Sequence, residues 1–254
     1  MSQKWALITG ASSGIGSATA TRLSKDGYNL ILTGRRQTRL GELEQNIKKS
    51  NPETQIKLAQ FDLLKTNEIE QFFRKFDSDL KNVSVLINNA GLAMGVDKVD
   101  QAKLSDWDVM LYTNVRSLMH MTRGVLPYLL AQKSGHIVNM GSAAGRWTYP
   151  GGAVYCATKF AVRSFSEGLR MDLMGKNIRV SNIEPGMVNT EFSLVRTGSQ
   201  EKADEIYKNM KPLTAEDIAE TIAWVLAQPS HVNIQEMVIY PTAQAHVGMV
   251  HRGI

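Results

Sequence analysis

The groups in this sequence best placed to do chemistry are Tyr155 and Lys159, four residues apart. On a helix those positions share a face, so a phenol and an ammonium can converge on one pocket. A free tyrosine titrates at about 10 and is a poor base at neutral pH, whereas a cation beside it stabilises the phenolate and brings that value down. Such a pair moves a proton to or from a substrate oxygen. Spacing alone does not single it out, because Tyr207 and Lys211 repeat it. What selects Tyr155 is its company. Ser142 stands 13 residues before it, just after an apolar run that reads as a strand. A serine hydroxyl there can hydrogen-bond the same substrate oxygen and steady charge developing on it.

A second constellation lies near the amino terminus. Thr9-Gly10-Ala11-Ser12-Ser13-Gly14-Ile15-Gly16 follows a short apolar run and carries glycines four and then two positions apart. A strand that turns sharply into a helix needs residues without a Cβ at the turn and at the closest contact, and the helix terminus then offers free N–H groups to a pyrophosphate. An ordinary Gly/Ser connection has the same composition. The end of the next apolar run bears on the choice. Roughly 20 residues after the glycines, an acid would bind the ribose hydroxyls of NAD. Gly34-Arg35-Arg36 stands there instead, with no acid. Two guanidiniums grip a 2′-phosphate through charge-assisted hydrogen bonds, which favours NADP, although arginines that only solubilise a loop would look alike.

Positioning these groups falls to an alternation of two periods. Trp5–Thr9, Tyr28–Thr33, Gln55–Phe61, Val83–Ile87, Gly135–Met140, Ile178–Ile183 and Glu236–Ile239 are short, near-continuous apolar runs, as strands buried on both faces are. Between them, sets such as Ile69-Phe72-Phe73-Phe76 and Val162-Phe165-Leu169-Leu173 put apolar groups on one helical face. Strand, helix, strand, repeated throughout, predicts an α/β fold: a single-domain, Rossmann-type, doubly wound parallel sheet of about seven strands with helices on both faces, spanning 1–254. The polar stretch 187–212 interrupts the rhythm just after a strand and reads as a long binding loop or lid over the ligand end of the sheet.

Composition bounds the function classes. At 254 residues with 43% hydrophobic and 21% charged content, the chain supports one large buried core and excludes a disordered or fibrous protein. The net charge of +5 is scattered, which argues against nucleic acid as a partner. Cys156 is the single cysteine, so no internal disulfide is possible, and its expected role is that of a small buried hydrophobe. The five histidines show no ligand spacing, so no metal is expected. The apolar run at Trp5–Ile8 is too short for a secretion signal, and Ile218–Ala227 is too short and too interrupted to span a bilayer. The expectation is a soluble cytoplasmic protein without a membrane partner.

Added to Asn88-Asn89-Ala90-Gly91, Asn114 and Pro185-Gly186, these motifs resemble the short-chain dehydrogenase/reductase superfamily along nearly the whole chain. Leu32–Arg36, Asn88–Gly95, Gly151–Lys159, Ile183–Arg196 and His231–Met237 are further similar to its NADP-dependent 3-hydroxy acid dehydrogenases. That group acts on serine, allo-threonine and related 3-hydroxy acids, and some members reduce malonic semialdehyde. The resemblance implies a catalytic tetrad of Asn114, Ser142, Tyr155 and Lys159. Tyr155 would exchange the proton, Ser142 would bind the substrate oxygen, Lys159 would hold the nicotinamide ribose and tune Tyr155, and Asn114 would hold a relay water. It implies adenine contacts at Asp62 and Leu63. Contacts near the ribose would come from Asn88 with Ala90 and Gly91, and a nicotinamide border from Pro185, Gly186, Val188 and Thr190. A homotetramer paired through helices near Leu104–Leu130 and Gly152–Leu173 is implied as well.

A hydroxy acid brings a carboxylate that something positive must meet. Arg196, in the expected lid, and Arg146, four residues after Ser142, are the candidates, and a solvated loop arginine is the plain alternative for Arg196. The same tetrad would serve a 3-oxoacyl thioester, a sugar or a xenobiotic ketone, and a catalytically silent NADPH sensor needs only the binding half. An intact tetrad argues for the enzyme.

Overall fold

Trp5–Ile8 (β1) is buried at all four residues, so both its faces must be covered and its neighbours must be strands. In a computed structural model, which describes residues 4–253, it is an inner strand, third of seven, in a parallel sheet. The other strands are Asn29–Gly34 (β2), Ile56–Gln60 (β3), Val83–Asn88 (β4), Gly135–Met140 (β5), Ile178–Pro185 (β6) and Glu236–Ile239 (β7). Their order is β3-β2-β1-β4-β5-β6-β7, with Ile8 beside both Leu32 and Ile87. The order reverses between β1 and β4, and the crevice outside the carboxyl ends at such a reversal is where open α/β sheets bind ligands.

Gly14–Lys25 (α1), Gln37–Ser50 (α2) and Ala215–Ala227 (α10) cover one face, where Leu23, Leu40, Ile47, Ile218 and Ile222 pack on Ile8, Leu30 and Leu32. Thr66–Lys75 (α3), Ser117–Gln132 (α6) and Ala153–Asp172 (α7) cover the other, burying Phe72, Met121, Leu129 and Leu169 against Leu7, Leu86 and Ile137. Fully burying one such side chain stabilises the fold by about 1.5–3 kcal/mol, so each helix is fixed chiefly by its apolar stripe. Local signals set the ends. Thr214 and Asp217 form a reciprocal capping box at the start of α10. The short helix Asp77–Leu80 (α4) precedes β4, and Leu104–Leu111 (α5) runs into α6 through a π-helical turn at Tyr112–Arg116.

The segment 187–212 differs from the expected loop. It contains two helices, Glu191–Thr197 (α8) and Gln200–Tyr207 (α9), capped by Thr190 and Ser199 and separated by Gly198 at φ +66. After β7, Gln244–His246 (β8) and Met249–Val250 (β9) form a small hairpin. Its Arg252 donates to the carbonyls of Ile206 and Lys208 and so ties the hairpin to the end of α9. Among the described residues no helix is long and apolar enough to cross a membrane.

His136 on β5 carries a testable consequence of this burial. Its Nε2 lies 2.8 Å from the Ser181 hydroxyl, while Nδ1 has no partner among the described residues. Burial, aided by the charge of Arg179, pushes its pKa from 6.5 down to about 3. Between those values the unfolded chain binds a proton that the folded one refuses. Stability therefore falls as pH drops through that window, by about 1.4 kcal/mol per pH unit. In urea titrations, His136→Gln is expected to flatten the loss of stability between pH 6.5 and 4.5 relative to the wild type.

Candidate active site

The carboxyl ends of the strands open onto a cleft of about 670 Å³. Its floor is the turn between β1 and α1. Gly10 holds φ at +65, and a Cβ there would sit 2.9 Å from the Cα of Ala90. Gly16 passes so close behind that a Cβ would meet the Gly10 carbonyl oxygen at 2.4 Å. Only glycine lets α1 begin this near the strand, with its first amides facing the cleft. Asn89 holds the turn: its Nδ2 donates to the Thr9 and Gly10 carbonyls at 2.9 and 3.2 Å.

The expected cofactor residues gather around this floor. Gly10, Ser12, Ser13, Gly14 and Ile15 line the cleft, with Arg35 and Arg36 at the end of β2 and Asp62 and Leu63 beyond β3. Ala90, Gly91, Pro185, Gly186, Val188 and Thr190 line its other parts. The Arg36 guanidinium donates to the Ser13 hydroxyl at 2.7 Å and pairs with Glu191 of α8 at 2.8 Å. A glycine turn at a helix start flanked by Arg35 and Arg36 suits a long phosphorylated ligand, and the volume is that of a cofactor-sized pocket.

The reactive groups stand at the far end. α7 presents Tyr155 and Lys159 on one face, with the Lys159 Nζ 5.8 Å from the centre of the Tyr155 ring. That ammonium donates to the Met140 carbonyl at the end of β5 at 2.8 Å. Ser142 follows, its hydroxyl accepting from the Ala144 amide at 3.1 Å and donating to the Pro185 carbonyl at 3.4 Å. Burial dominates both titrations. It pushes the Tyr155 phenol above its ordinary value, helped by Tyr149 and opposed by Ser142 and Arg196. It pushes Lys159 down to about 8. The charge of Arg196 thus helps bring the phenol down, a contribution the sequence did not announce.

Arg196 reaches this end from α8. Its Nη1 donates to the Tyr149 hydroxyl at 3.0 Å and its Nε to the Gly95 carbonyl at 3.2 Å. The guanidinium carbon stands 5.9 Å from the centre of the Tyr155 ring. Tyr149, Phe192, whose ring centre is 5.6 Å from that of Tyr155, and Tyr207 complete the wall. None of these three announced itself as a cleft residue by spacing. Tyr207 belongs to the duplicate Tyr/Lys pair set aside above, and its hydroxyl binds the Val188 carbonyl at 2.7 Å.

Four expected residues sit elsewhere. Arg146 does not line the cleft: it turns away to pair with Glu184, which is fully buried, and with Glu236, so its charge is already met. Asn88 points to the face covered by α6, where its Nδ2 donates to Thr122 of that helix and to Asn139 of β5, both at 2.9 Å. Gly16 lies behind the turn. Asn114, in the π-helical turn, accepts from the Leu92 amide and donates to the Leu92 carbonyl and the Thr158 hydroxyl. Its side chain thereby fastens the segment after β4 beside Lys159.

The family model described as short chain dehydrogenase matches residues 4–201. The NADP-dependent 3-hydroxy acid dehydrogenase YdfG of Escherichia coli (strain K12) is 43% identical over 249 residues, which is 97% of this chain and 98% of that protein. A serine 3-dehydrogenase of Agrobacterium fabrum is 44% identical over 243 residues, 95% of either chain. A solved structure described as the closed form of serine dehydrogenase complexed with NADP+ superposes with a TM-score of 0.91 at 43% identity, covering 98% of this chain and 99% of that one.

Proposed function

The chain belongs to the short-chain dehydrogenase family, and on that premise we propose that it is an NADP-dependent oxidoreductase. It interconverts a small 3-hydroxy acid, of the serine, allo-threonine or 3-hydroxypropionate type, and its 3-oxo form. The observation that carries the reading is Arg196 facing Tyr155 across one cleft, at 5.9 Å from guanidinium carbon to ring centre. Two carbon–carbon bonds separate the carboxylate of a 3-hydroxy acid from the carbon bearing its hydroxyl. Such a molecule can therefore hold its carboxylate on Arg196 and its hydroxyl at Tyr155 and Ser142 together.

Bound NADP supplies the hydride acceptor in oxidation and the donor in reduction. Arg35 and Arg36 would hold its 2′-phosphate, the amides of the Gly10–Gly16 turn its pyrophosphate, and Asp62 and Leu63 its adenine. Lys159 would take the ribose at the reactive end, with Pro185–Thr190 bordering the ring. In oxidation the Tyr155 Oη takes the proton of the substrate hydroxyl as the hydride leaves the carbon bearing that hydroxyl; in reduction it returns that proton. Ser142 Oγ hydrogen-bonds the reacting oxygen throughout and offsets the charge on it. Segment 187–212 forms the substrate wall through α8 and α9, whose Phe192, Val195, Ile206 and Tyr207 line the cleft.

The same reading extends to a cytoplasmic homotetramer. Two separate apolar exposures support the assembly: Leu104, Leu111, Tyr112 and Phe160 on α5, the π turn and α7, and Trp224 with Val238 on α10 and the edge strand β7. Light scattering of the purified protein reads the mass directly.

The activity test follows NADP reduction by absorbance with L-serine, L-allo-threonine, 3-hydroxypropionate and a carboxylate-free secondary alcohol, each repeated with NAD. Turnover of the acids with NADP and little with the plain alcohol is the expected result. Activity on the alcohol alone would transfer the enzyme to another carbonyl substrate. Silence on every substrate despite tight NADPH binding would leave a nucleotide sensor.

A further inference from the structure

Arg36 does more in this fold than face a phosphate. Its guanidinium joins the two walls of the cleft: Nη2 donates to the Ser13 hydroxyl on the glycine-turn side at 2.7 Å, and Nη1 pairs with Glu191 on the lid side at 2.8 Å. Arg39, in the first turn of α2, brings a second guanidinium within 3.9 Å of the other Glu191 oxygen. The walls come close at the same level, since a Cβ built on Gly14 would lie 3.3 Å from that of Thr190, the residue before Glu191. Arg35, by contrast, makes no ion pair among the described residues and stays available for a phosphate.

A carboxylate next to a phosphate-binding arginine repels the phosphate unless it has a task of its own. Burial pushes the Glu191 carboxyl up, but the hydrogen bond and charge of Arg36, with Ser13 and Arg39, outweigh that and hold it below its usual range. It is therefore ionised at neutral pH. Both side chains are partly exposed, 45% for Arg36 and 37% for Glu191. An ion pair in that setting contributes about 0–1 kcal/mol and is screened by salt, so it adds little to folding. It is suited to opening and reclosing at the mouth of a cleft.

We infer that Glu191 is a positioning residue that clasps α8 to Arg36 across the mouth of the cleft and thereby slows the release of NADP(H). The inference rests on the proposed cofactor reading. Thr190 caps α8 by accepting from the Phe192 amide at 3.3 Å, so the helix has a start signal independent of Glu191. The plain role left to that carboxylate is a favourable charge in the first helical turn.

The test is the dissociation rate of NADPH, read by stopped-flow loss of nicotinamide fluorescence on displacement with excess NADP+. It is run on wild type, Glu191→Gln and Glu191→Asp at several ionic strengths. Expected are release from Glu191→Gln about threefold to fivefold faster at low salt, convergence with wild type at high salt, and an intermediate rate for Glu191→Asp, which keeps the charge one methylene short. Equal rates in all three proteins would overturn the clasp. So would an excess that persists unchanged at every salt concentration, the sign of a merely structural role, or slower release, the sign that Glu191 only repels the phosphate. A wild type that binds no NADPH would remove the cofactor reading and the clasp together, whereas normal binding with unchanged release removes the clasp alone.

Discussion

Tyr155→Phe is expected to lower kcat in both directions by about 10²–10⁴-fold, the usual contribution of a positioned acid or base, while leaving NADPH affinity within about twofold. The substitution removes only the hydroxyl. The ring keeps its contacts with Phe192 and Arg196, and α7 keeps its buried face. Stopped-flow absorbance gives kcat, and NADPH fluorescence gives the affinity. Equal loss of both would make Tyr155 a structural residue and end the proposed mechanism. The pH dependence sharpens the expectation. Because burial holds the phenol protonated through neutrality, reduction draws on its prevailing form, while oxidation needs the scarce phenolate and should accelerate as pH rises. Lys159 loses its proton at about 8, so kcat/KM for reduction should be flat below that value and decline above it.

That pH behaviour marks the boundary of what a linear sequence can tell. The i, i+4 spacing correctly brought Tyr155 and Lys159 to one face of α7, since helix geometry is local. Their electrostatics are not local. Burial among Ala93, Met110, Ala144 and Phe192, residues distant along the chain, pushes the phenol up, and no local spacing foretells that.

The strands show the same division. All seven were legible as apolar runs: the five inner strands because burial on both faces needs a continuous run whatever the partners, and the half-exposed edge strands β3 and β7 by looser runs of the same kind. Arg146 was misread because four residues of separation from Ser142 suggested proximity, whereas the turn at 143–145 sends its guanidinium to Glu184 and Glu236, far along the chain. Nothing near Arg146 in sequence announces those acids. Asn88 shows how one position in a strand decides a role: period two turns it to the face under α6, and Asn89, next along, holds the glycine turn. The helices α8 and α9 left a readable trace in Thr190, Gly198 and Ser199, a cap, a stop and a second cap, which the polarity of the segment masked. Tyr149 left none, since its task is to hold Arg196 across a distance only the folded chain closes.

Arg196 carries the second large effect. Arg196→Met is expected to lower kcat/KM for 3-hydroxypropionate or serine by about 10²–10³-fold, in the range found when one partner of a desolvated, hydrogen-bonded charge pair is removed. For a carboxylate-free alcohol the expected change is less than about threefold. The contrast between substrates is the argument, because the side chain also has structural work. It ties α8 to Gly95 and to Tyr149, and a general loosening of that wall would slow every substrate alike. A uniform loss would thus assign Arg196 to the wall and leave the carboxylate without a partner in the proposed function. Arg196→Lys should recover little, since an ammonium cannot span Gly95, Tyr149 and a planar carboxylate at once. The same variants report on Tyr155. With the guanidinium gone, an influence that brings the phenol down is lost, so oxidation of the plain alcohol should need a higher pH in Arg196→Met than in wild type. A substrate carboxylate seated on Arg196 would act in the same direction by neutralising that charge. The carboxylate that Arg196 selects would then also keep Tyr155 protonated, and so favour reduction of the 3-oxo form.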